Sequence, residues 1–416
     1  MTEIFLVPGL RTPFVKAGSS YAHQSSIELS VPVLKAMTAR ARPDHLAWGQ
    51  VIPDAEISNI ARELVFEAGL DPTIPAYSTV LACSSSFIGT LQSAGMIGKG
   101  GAHLALAGGV DSMSHVPIAL KYKVAEKLVG LFAKDPAAAV ETFGQLTPED
   151  FHLPTSGWSN RVSGRTMGDH MEETAKEMGI SREEQDRRAL ASHQGAIKGQ
   201  DTGFYTDLIV PHAGVDHDTF PRRDTSFEKL SKLSPVFDRS GKGTITAGNS
   251  SPLTDGAAGV WVGDAEGLGR LGAKPTVQLV DWQVGAVDFR TEGMLMAPAR
   301  AVPRLLARHR LKADGIQLWE IHEAFAAQVV ANIKGFMDPV YRREKAGVDF
   351  DLGTFPYDRV NPHGGSIALG HPFAATGARI LSQATKELSA MPSGSKAIVS
   401  VCADGGQGTV ALLQRV

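Results

Sequence analysis

The sequence predicts an α/β protein made of two similar halves with a helical segment inserted between them. Three observations lead there. Short β-rich runs ending in small residues alternate with helical stretches. One ordered pattern occurs twice. Between its two occurrences the composition turns polar and helical.

The chain opens with "MTEIFLVPGLRTPF", in which an apolar run from Ile4 to Val7 is broken by Pro8 and Gly9. That run is too short for a signal segment or a membrane span, so a cytoplasmic protein is expected. Buried strands are expected at "HLALAGG" (103–109), "AAGVWVGD" (257–264), "PTVQLVDW" (275–282) and "KAIVSVCADGG" (396–406). The duplicated pattern is turn, small-residue helix, strand, paired glycines. It runs through "CSSSFIGTLQSAGMIGKGGAHLALAGGVDSMS" and again through "GHPFAATGARILSQATKELSAMPSGSKAIVSVCADGGQG".

In the intervening segment, Val124, Leu128, Val129 and Phe132 recur at helical intervals among lysines that read as a solvated face. Farther on, Ser181 followed by Glu183 and Glu184 marks a capped helix start. The expected division is a first half over 1–119 completed by 248–272, an inserted loop domain over 120–247, and a second half over 273–416.

A chain of 416 residues supports roughly two to three core-forming units. With 43% hydrophobic and 20% charged residues and a formal charge of -3, it has no electrostatic case for nucleic acid. Its two cysteines cannot form a disulfide framework. No C-x-x-C or H-E-x-x-H motif is present to hold a metal, since Ala326 stands where "IHEAFAAQ" would need its second histidine.

One of those cysteines, Cys83, sits in "STVLACSSSFIGTLQSAG". An unpaired cysteine is ordinarily a small core residue. Here Val80, Leu81 and Ala82 read as the end of a buried strand, and cap-type serines lead into a stripe of Phe87, Ile88 and Leu91. The sulfur is therefore expected at a helix amino terminus, where the macrodipole favours the attacking thiolate.

A nucleophile needs a base, and "NPHGGSIALGHPFAATGAR" offers two histidines. Pro372 disfavours helix before it and suits the first helical turn, so His371 should project from a turn at a helix mouth and stay neutral. His363, beside two glycines, reads as a turn residue. Cys402 ends a strand before small residues whose backbone N–H groups can approach a ligand closely, and it offers a second thiol for proton transfer.

With these residues assembled, the chain resembles the thiolase family over almost its full length. The resemblance rests on "RTPF" (11–14), "WGQVIPDAEISNIARE" (48–63), "CSSS" (83–86), "GGVDSMSH" (108–115), "TMGDHMEETAKEMGISREEQD" (166–186), "GTITAGNSSPLTDGAA" (243–258), "HEAFA" (322–326), "GGSIALGHP" (364–372) and "CADGGQG" (402–408). "HEAFA", "LMAPARAVPRLL" and "GHPFAATGAR" are most similar to the β-oxidation branch related to trifunctional-complex β-subunits.

The resemblance implies a five-layered αβαβα fold and a two-step exchange. Cys83 would attack the 3-keto carbon of a 3-ketoacyl-CoA, acetyl-CoA would leave, and incoming CoA would release the acyl-enzyme. His371 would take the Cys83 proton, Cys402 would serve as acid and base, and His322 would complete a first oxyanion site. The backbone N–H groups of Cys83 and Asp404 would form the second. Glu323 reads as structural. The pantetheine arm would run past Met167, Phe237, Ser251, Ala324 and Phe325, with Arg222 and Arg223 as candidates for the CoA phosphates.

No permanent cofactor is implied, with CoA and acyl-CoA entering as substrates. Family members are homodimers or homotetramers. The β-subunit likeness adds a hydratase–dehydrogenase partner, for which 121–146 would be the docking surface.

Asp404 departs from the glycine or alanine usual in the family, and a carboxylate facing a developing oxyanion raises the barrier unless it turns away or is neutralised. Ser84 to Ser86 and Pro252 also differ from commoner residues. An acetoacetyl-CoA thiolase running the condensation and a non-catalytic acyl-CoA or sterol binder are the alternatives. No P-loop or G-x-S-x-G motif is present to support an NTPase or an α/β-hydrolase.

Overall fold

The computed structural model describes residues 2–152 and 159–416. Its strands are β1 (Phe5–Val7), β2 (Val15–Lys16), β3 (His45–Gly49), β4 (Ala76–Thr79), β5 (Leu104–Asp111), β6 (Ala119–Leu120) and β7 (Phe151–His152). They continue with β8 (Thr254–Gly263), β9 (Val277–Ala286), β10 (Leu318–Ile321), β11 (Lys396–Ala403) and β12 (Gln407–Arg415). The main sheet follows the order β10-β11-β12-β9-β1-β8-β5-β3-β4.

Both halves pair in one pattern. β3 lies parallel to β5, β5 antiparallel to β8, and β8 antiparallel to β1. β10 lies parallel to β11, β11 antiparallel to β12, and β12 antiparallel to β9. The repeated sequence pattern is thus a repeated topology, and β1 joins the halves by pairing with both β8 and β9.

Because successive side chains of a strand face opposite ways, each strand feeds two cores. Ala105, Ala107, Val260, Val262, Val399 and Val401 face an inner core containing the helices Ser85–Gly98 and Thr376–Ser389. Leu104, Leu106 and Trp261 face an outer core under helices Ser26–Thr38 and Ile60–Glu67. Ile398, Val410 and Leu412 face the opposite outer core under helices Ala297–Arg308 and Ala326–Met337. Helix, sheet, helix pair, sheet and helix make the five layers.

The two central helices meet closely at Gly377, where a Cβ would lie 2.6 Å from the Phe87 nitrogen. Strand ends on both sides therefore open onto one seam. Among the described residues, no helix is long and apolar enough to cross a membrane.

The intervening segment is helical, with Tyr122–Lys134, Pro136–Gly144, Met167–Glu177 and Arg182–Asp201. Ser181 caps the last of these by accepting from the Glu184 N–H at 3.1 Å while the Glu184 carboxylate accepts from the Ser181 N–H at 2.8 Å. On helix Tyr122–Lys134 only Leu128 is buried, while Val129 and Phe132 are exposed.

Asp218, in the same segment, ties it to the first half. Its carboxylate accepts both terminal guanidinium nitrogens of buried Arg11 at 2.6 Å and the Phe14 N–H at 2.8 Å. Asp218→Ala strands a buried guanidinium, and the expected loss is about 3–5 kcal/mol of unfolding free energy, measured by urea denaturation. A loss below about 1 kcal/mol contradicts this reading.

Candidate active site

Cys83 lies just past β4, which ends at Thr79; Val80 is 71% exposed and is not the buried strand residue expected from sequence. The chain turns instead at Ala82, whose φ of 45° is in the left-handed region that side chains disfavour. Ser85 Oγ holds that turn, accepting from the Leu81 N–H at 2.8 Å and donating to the Ala82 carbonyl at 2.7 Å.

The serines do not cap the helix. Ser84, at the cap position, makes no capping bond and donates at 3.3 Å to the Val401 carbonyl in β11. Ser86 Oγ accepts from the Ala378 N–H at 2.8 Å in the partner helix. Both stitch the halves together beside Cys83.

His371 occupies the matching place before the second central helix, with its Nε2 3.1 Å from Cys83 Sγ. Thr376 Oγ1 donates to the Pro372 carbonyl at 3.3 Å, which leaves it to accept from His371 Nδ1 at 2.6 Å. The ring is thereby held with its Nε2 lone pair toward the thiol. Burial, with Arg379 behind it, takes the His371 pKa down to about 3, so the imidazole is neutral as expected, chiefly through desolvation.

The thiol departs from expectation. Burial first, then the charges of Asp404 and Asp111, push Cys83 up to about 12, against the pull of the Cys83 and Asp404 backbone N–H groups. Desolvation outweighs the helix terminus. The resting group is therefore a thiol, with His371 the nearest group placed to accept its proton.

His322 lies in the link between β10 and helix Ala326–Met337, where its N–H donates to the Ser400 carbonyl at 2.8 Å. Its ring centroid is 4.2 Å from that of His371. Cys83, His322 and His371 offer side-chain atoms all within 4.8 Å of one another. Burial, then His371 and Arg379, holds His322 far below its usual value, so it too is neutral.

Cys402, at the end of β11, is buried; desolvation and a charge on nearby Cys83 raise its pKa, so it rests protonated. Neighbouring Glu323 is structural, as expected. It accepts from Asn361 Nδ2 at 2.7 Å and from Ser192 Oγ at 2.6 Å, and it pairs with Arg188 at 3.1 Å.

Cys83 and His371 floor a cavity of about 240 Å³. Met167, Phe237, Ser251, Ala324 and Phe325 all line it, along with Cys83, His371 and Asp404. Thr166, Gly168, Ser250, Leu253, Leu295 and Phe373 complete the wall without having been singled out from sequence. Gly168 carried a signal only in retrospect, because a Cβ there would fall 2.1 Å from the Phe237 ring.

At Ser250 the cavity adjoins a groove lined by Arg222, His193, Thr225 and Lys229. Arg223 turns away. Its two terminal nitrogens bind exposed Asp201 at 3.0 and 2.7 Å, and it lines a separate surface hollow. Of the arginine pair, only Arg222 faces the groove. His363 is likewise apart from the site, stacked on Phe204 with Nδ1 toward Glu387 at 2.5 Å.

Asp404 lines the cavity, yet its Oδ1 is engaged, accepting from Asn160 Nδ2 at 2.8 Å and from the Gly405 N–H at 2.6 Å. Asn160 was missed because it reaches this place from the intervening segment. The carboxylate still acts on the sulfur through its charge. Asp404→Gly is expected to speed Cys83 alkylation by iodoacetamide at pH 8 by roughly threefold to tenfold. An unchanged rate means that the sulfur does not sense this charge.

Comparison with known proteins agrees with the architecture. Residues 4–266 match the family description "Thiolase, N-terminal domain", and residues 273–415 match "Thiolase, C-terminal domain". A 3-ketoacyl-CoA thiolase of Yersinia enterocolitica is 36% identical over 424 residues, with 99% of this chain and 97% of that protein covered. The crystal structure of a thiolase from Ascaris suum in complex with coenzyme A has a TM-score of 0.80 at 25% identity, with 100% of both chains covered. That of the Bacillus anthracis acetyl-CoA acetyltransferase has a TM-score of 0.81 at 28% identity, covering 100% of this chain and 99% of the other.

Proposed function

The chain belongs to the thiolase family, and from that premise we propose that it cleaves 3-ketoacyl-CoA with CoA, yielding acetyl-CoA and a shortened acyl-CoA. The observation that carries this reading is the Cys83 sulfur set 3.1 Å from a neutral His371 at the floor of the cavity.

Cys83 attacks the 3-keto carbon while His371 Nε2 takes its proton, which removes the need for a standing thiolate. The C2–C3 bond then breaks. The departing thioester enolate carries its charge on an oxygen beside His371 and His322, and the Cys402 thiol protonates its carbon. The resulting Cys402 thiolate accepts the proton of incoming CoA, whose sulfur attacks the acyl-enzyme; the acyl–Cys83 bond breaks as the acyl-CoA forms, and His371 returns its proton to the departing Cys83 sulfur. The N–H groups of Cys83 and Asp404 face the oxyanion of that second step.

The pantetheine arm lies along Met167, Phe237, Ser251, Ala324 and Phe325, and the phosphates lie toward Arg222 and Lys229. CoA is a substrate here, and no resident cofactor takes part. A panel of 3-ketoacyl-CoA substrates with CoA, followed by acetyl-CoA release, tests the reading. Absence of cleavage at every chain length overturns it.

We assign the chain to the cytoplasm and to fatty-acid β-oxidation, with the division 1–119 plus 248–272, 120–247 and 273–416 as its working domains. It assembles as a homodimer or homotetramer. The terminal strand β4 and exposed Val80 beside it support self-pairing along that sheet edge. A hydratase–dehydrogenase subunit docks on 121–146, where Tyr122, Val129, Phe132, Val140 and Phe143 lie exposed. Light scattering and co-purification from the host test these assemblies, and a monomer that purifies alone argues against both.

A further inference from the structure

Two imidazoles packed against one sulfur have to do different things. If His322 donates to an oxyanion while His371 receives a proton, the first needs a hydrogen on Nε2 and the second needs a lone pair there. Thr376 settles the tautomer of His371. His322 has a hydroxyl of its own, that of fully buried Ser366, whose Oγ lies 2.9 Å from Nδ1.

That hydroxyl is not free to choose its role. Arg379 Nη2, on the central helix Thr376–Ser389, donates to Ser366 Oγ at 2.8 Å. Arg379 is itself buried and carries hydrogens it can only donate. Arg379 and His322 are the only hydrogen-bond partners of Ser366 Oγ among the described residues. One of its lone pairs is committed to the guanidinium, so its hydrogen has one acceptor in reach, His322 Nδ1. With Nδ1 accepting, the imidazole hydrogen sits on Nε2. That nitrogen is buried and has no hydrogen-bond partner among the described residues, although its ring packs against that of His371 at a tilt of 52°. A buried donor without an acceptor is costly, and an oxyanion would satisfy it.

We infer that Ser366, with Arg379 behind it, fixes His322 as the Nε2–H tautomer, opposite to that of His371, and so divides the roles of donor and base between the two rings. Ser366 and Arg379 are positioning residues. Neither touches the reacting atoms. The inference rests on the thiolytic reading only for its kinetic consequence, because the proton position belongs to the resting protein.

The test reads both. Histidine labelled with nitrogen-15 reports by NMR which ring nitrogen carries the proton, and the His322 signals are identified by their loss in His322→Asn. Wild type is expected to carry the proton on Nε2. Ser366→Ala is expected to move it wholly or partly to Nδ1 and to lower kcat about 10- to 100-fold with KM changed by less than about twofold. Ser366→Thr, which keeps the hydroxyl, restores both readouts. A wild-type proton on Nδ1, or an unchanged tautomer in Ser366→Ala, overturns the inference. Should Ser366→Ala fail to fold, the wild-type spectrum decides alone. Intact tautomers with no cleavage of any 3-ketoacyl-CoA leave the inference standing and remove the proposed reaction.

Discussion

Cys83→Ala is expected to lower turnover by about 10⁵-fold or more, and mass spectrometry should detect an acyl adduct on the wild-type protein and none on the variant. The loss is this large because nothing else can form the covalent intermediate. Cys402, the remaining thiol, is buried, held protonated and absent from the cavity wall. The floor around position 83 should survive the change. Leu81, Ala82 and Ser85 hold the turn through backbone atoms and the serine hydroxyl, with no help from the sulfur. A variant that still turns over within a hundredfold of wild type would mean the nucleophile has been misassigned.

His371→Asn should be nearly as damaging and should leave a characteristic trace. With its pKa at about 12, the Cys83 thiol is ionised in only about one molecule in 10⁵ at pH 7. On the proposed mechanism the wild-type enzyme does not depend on that fraction, because the neighbouring imidazole takes the proton. Since the His371 pKa is depressed to about 3, it stays competent as the pH falls until close to that value. The wild-type acylation rate should therefore be flat between about pH 5 and 9 as far as this pair is concerned.

Without the imidazole, the protein depends on the spontaneous thiolate. The expected loss at pH 7 is about 10³- to 10⁵-fold, and the residual rate should climb about tenfold for each unit of pH. The measurement is single-turnover acylation across pH in both proteins. A variant as flat as wild type would show that some other base serves the sulfur.

Local pattern made much of this molecule legible. The strands at 104–111, 254–263, 277–286 and 396–403 cover or overlap the runs expected from sequence, and the repeated motif became a repeated pairing scheme. Pro372 marked His371 because a proline constrains its predecessor wherever it falls. Cys402 was found from the strand it ends.

What escaped was long-range. Ser84 reads as a cap because serines before helices usually cap, but its hydroxyl found the Val401 carbonyl 317 positions away. Asn160, Thr254 and Ser366 serve the site through partners that no spacing rule connects, such as Thr254 Oγ1, which accepts from the His371 N–H at 2.9 Å. The thiolate expectation failed for a related reason. A helix terminus can be read from sequence, whereas the burial that overrides it depends on everything folded around the sulfur. His322 entered only through family resemblance, and its surroundings became interpretable once Ser366 and Arg379 were in place.

The raised ionisation of Cys83 has one further consequence, for durability. Peroxides oxidise cysteine through its thiolate, stepping it to sulfenic and then irreversibly to sulfinic acid. A sulfur that gives up its proton only when a carbonyl arrives presents almost none of the vulnerable species between turnovers. On the proposed mechanism, the desolvation that denies this protein a ready-made nucleophile also protects the Cys83 sulfur from chemical ageing.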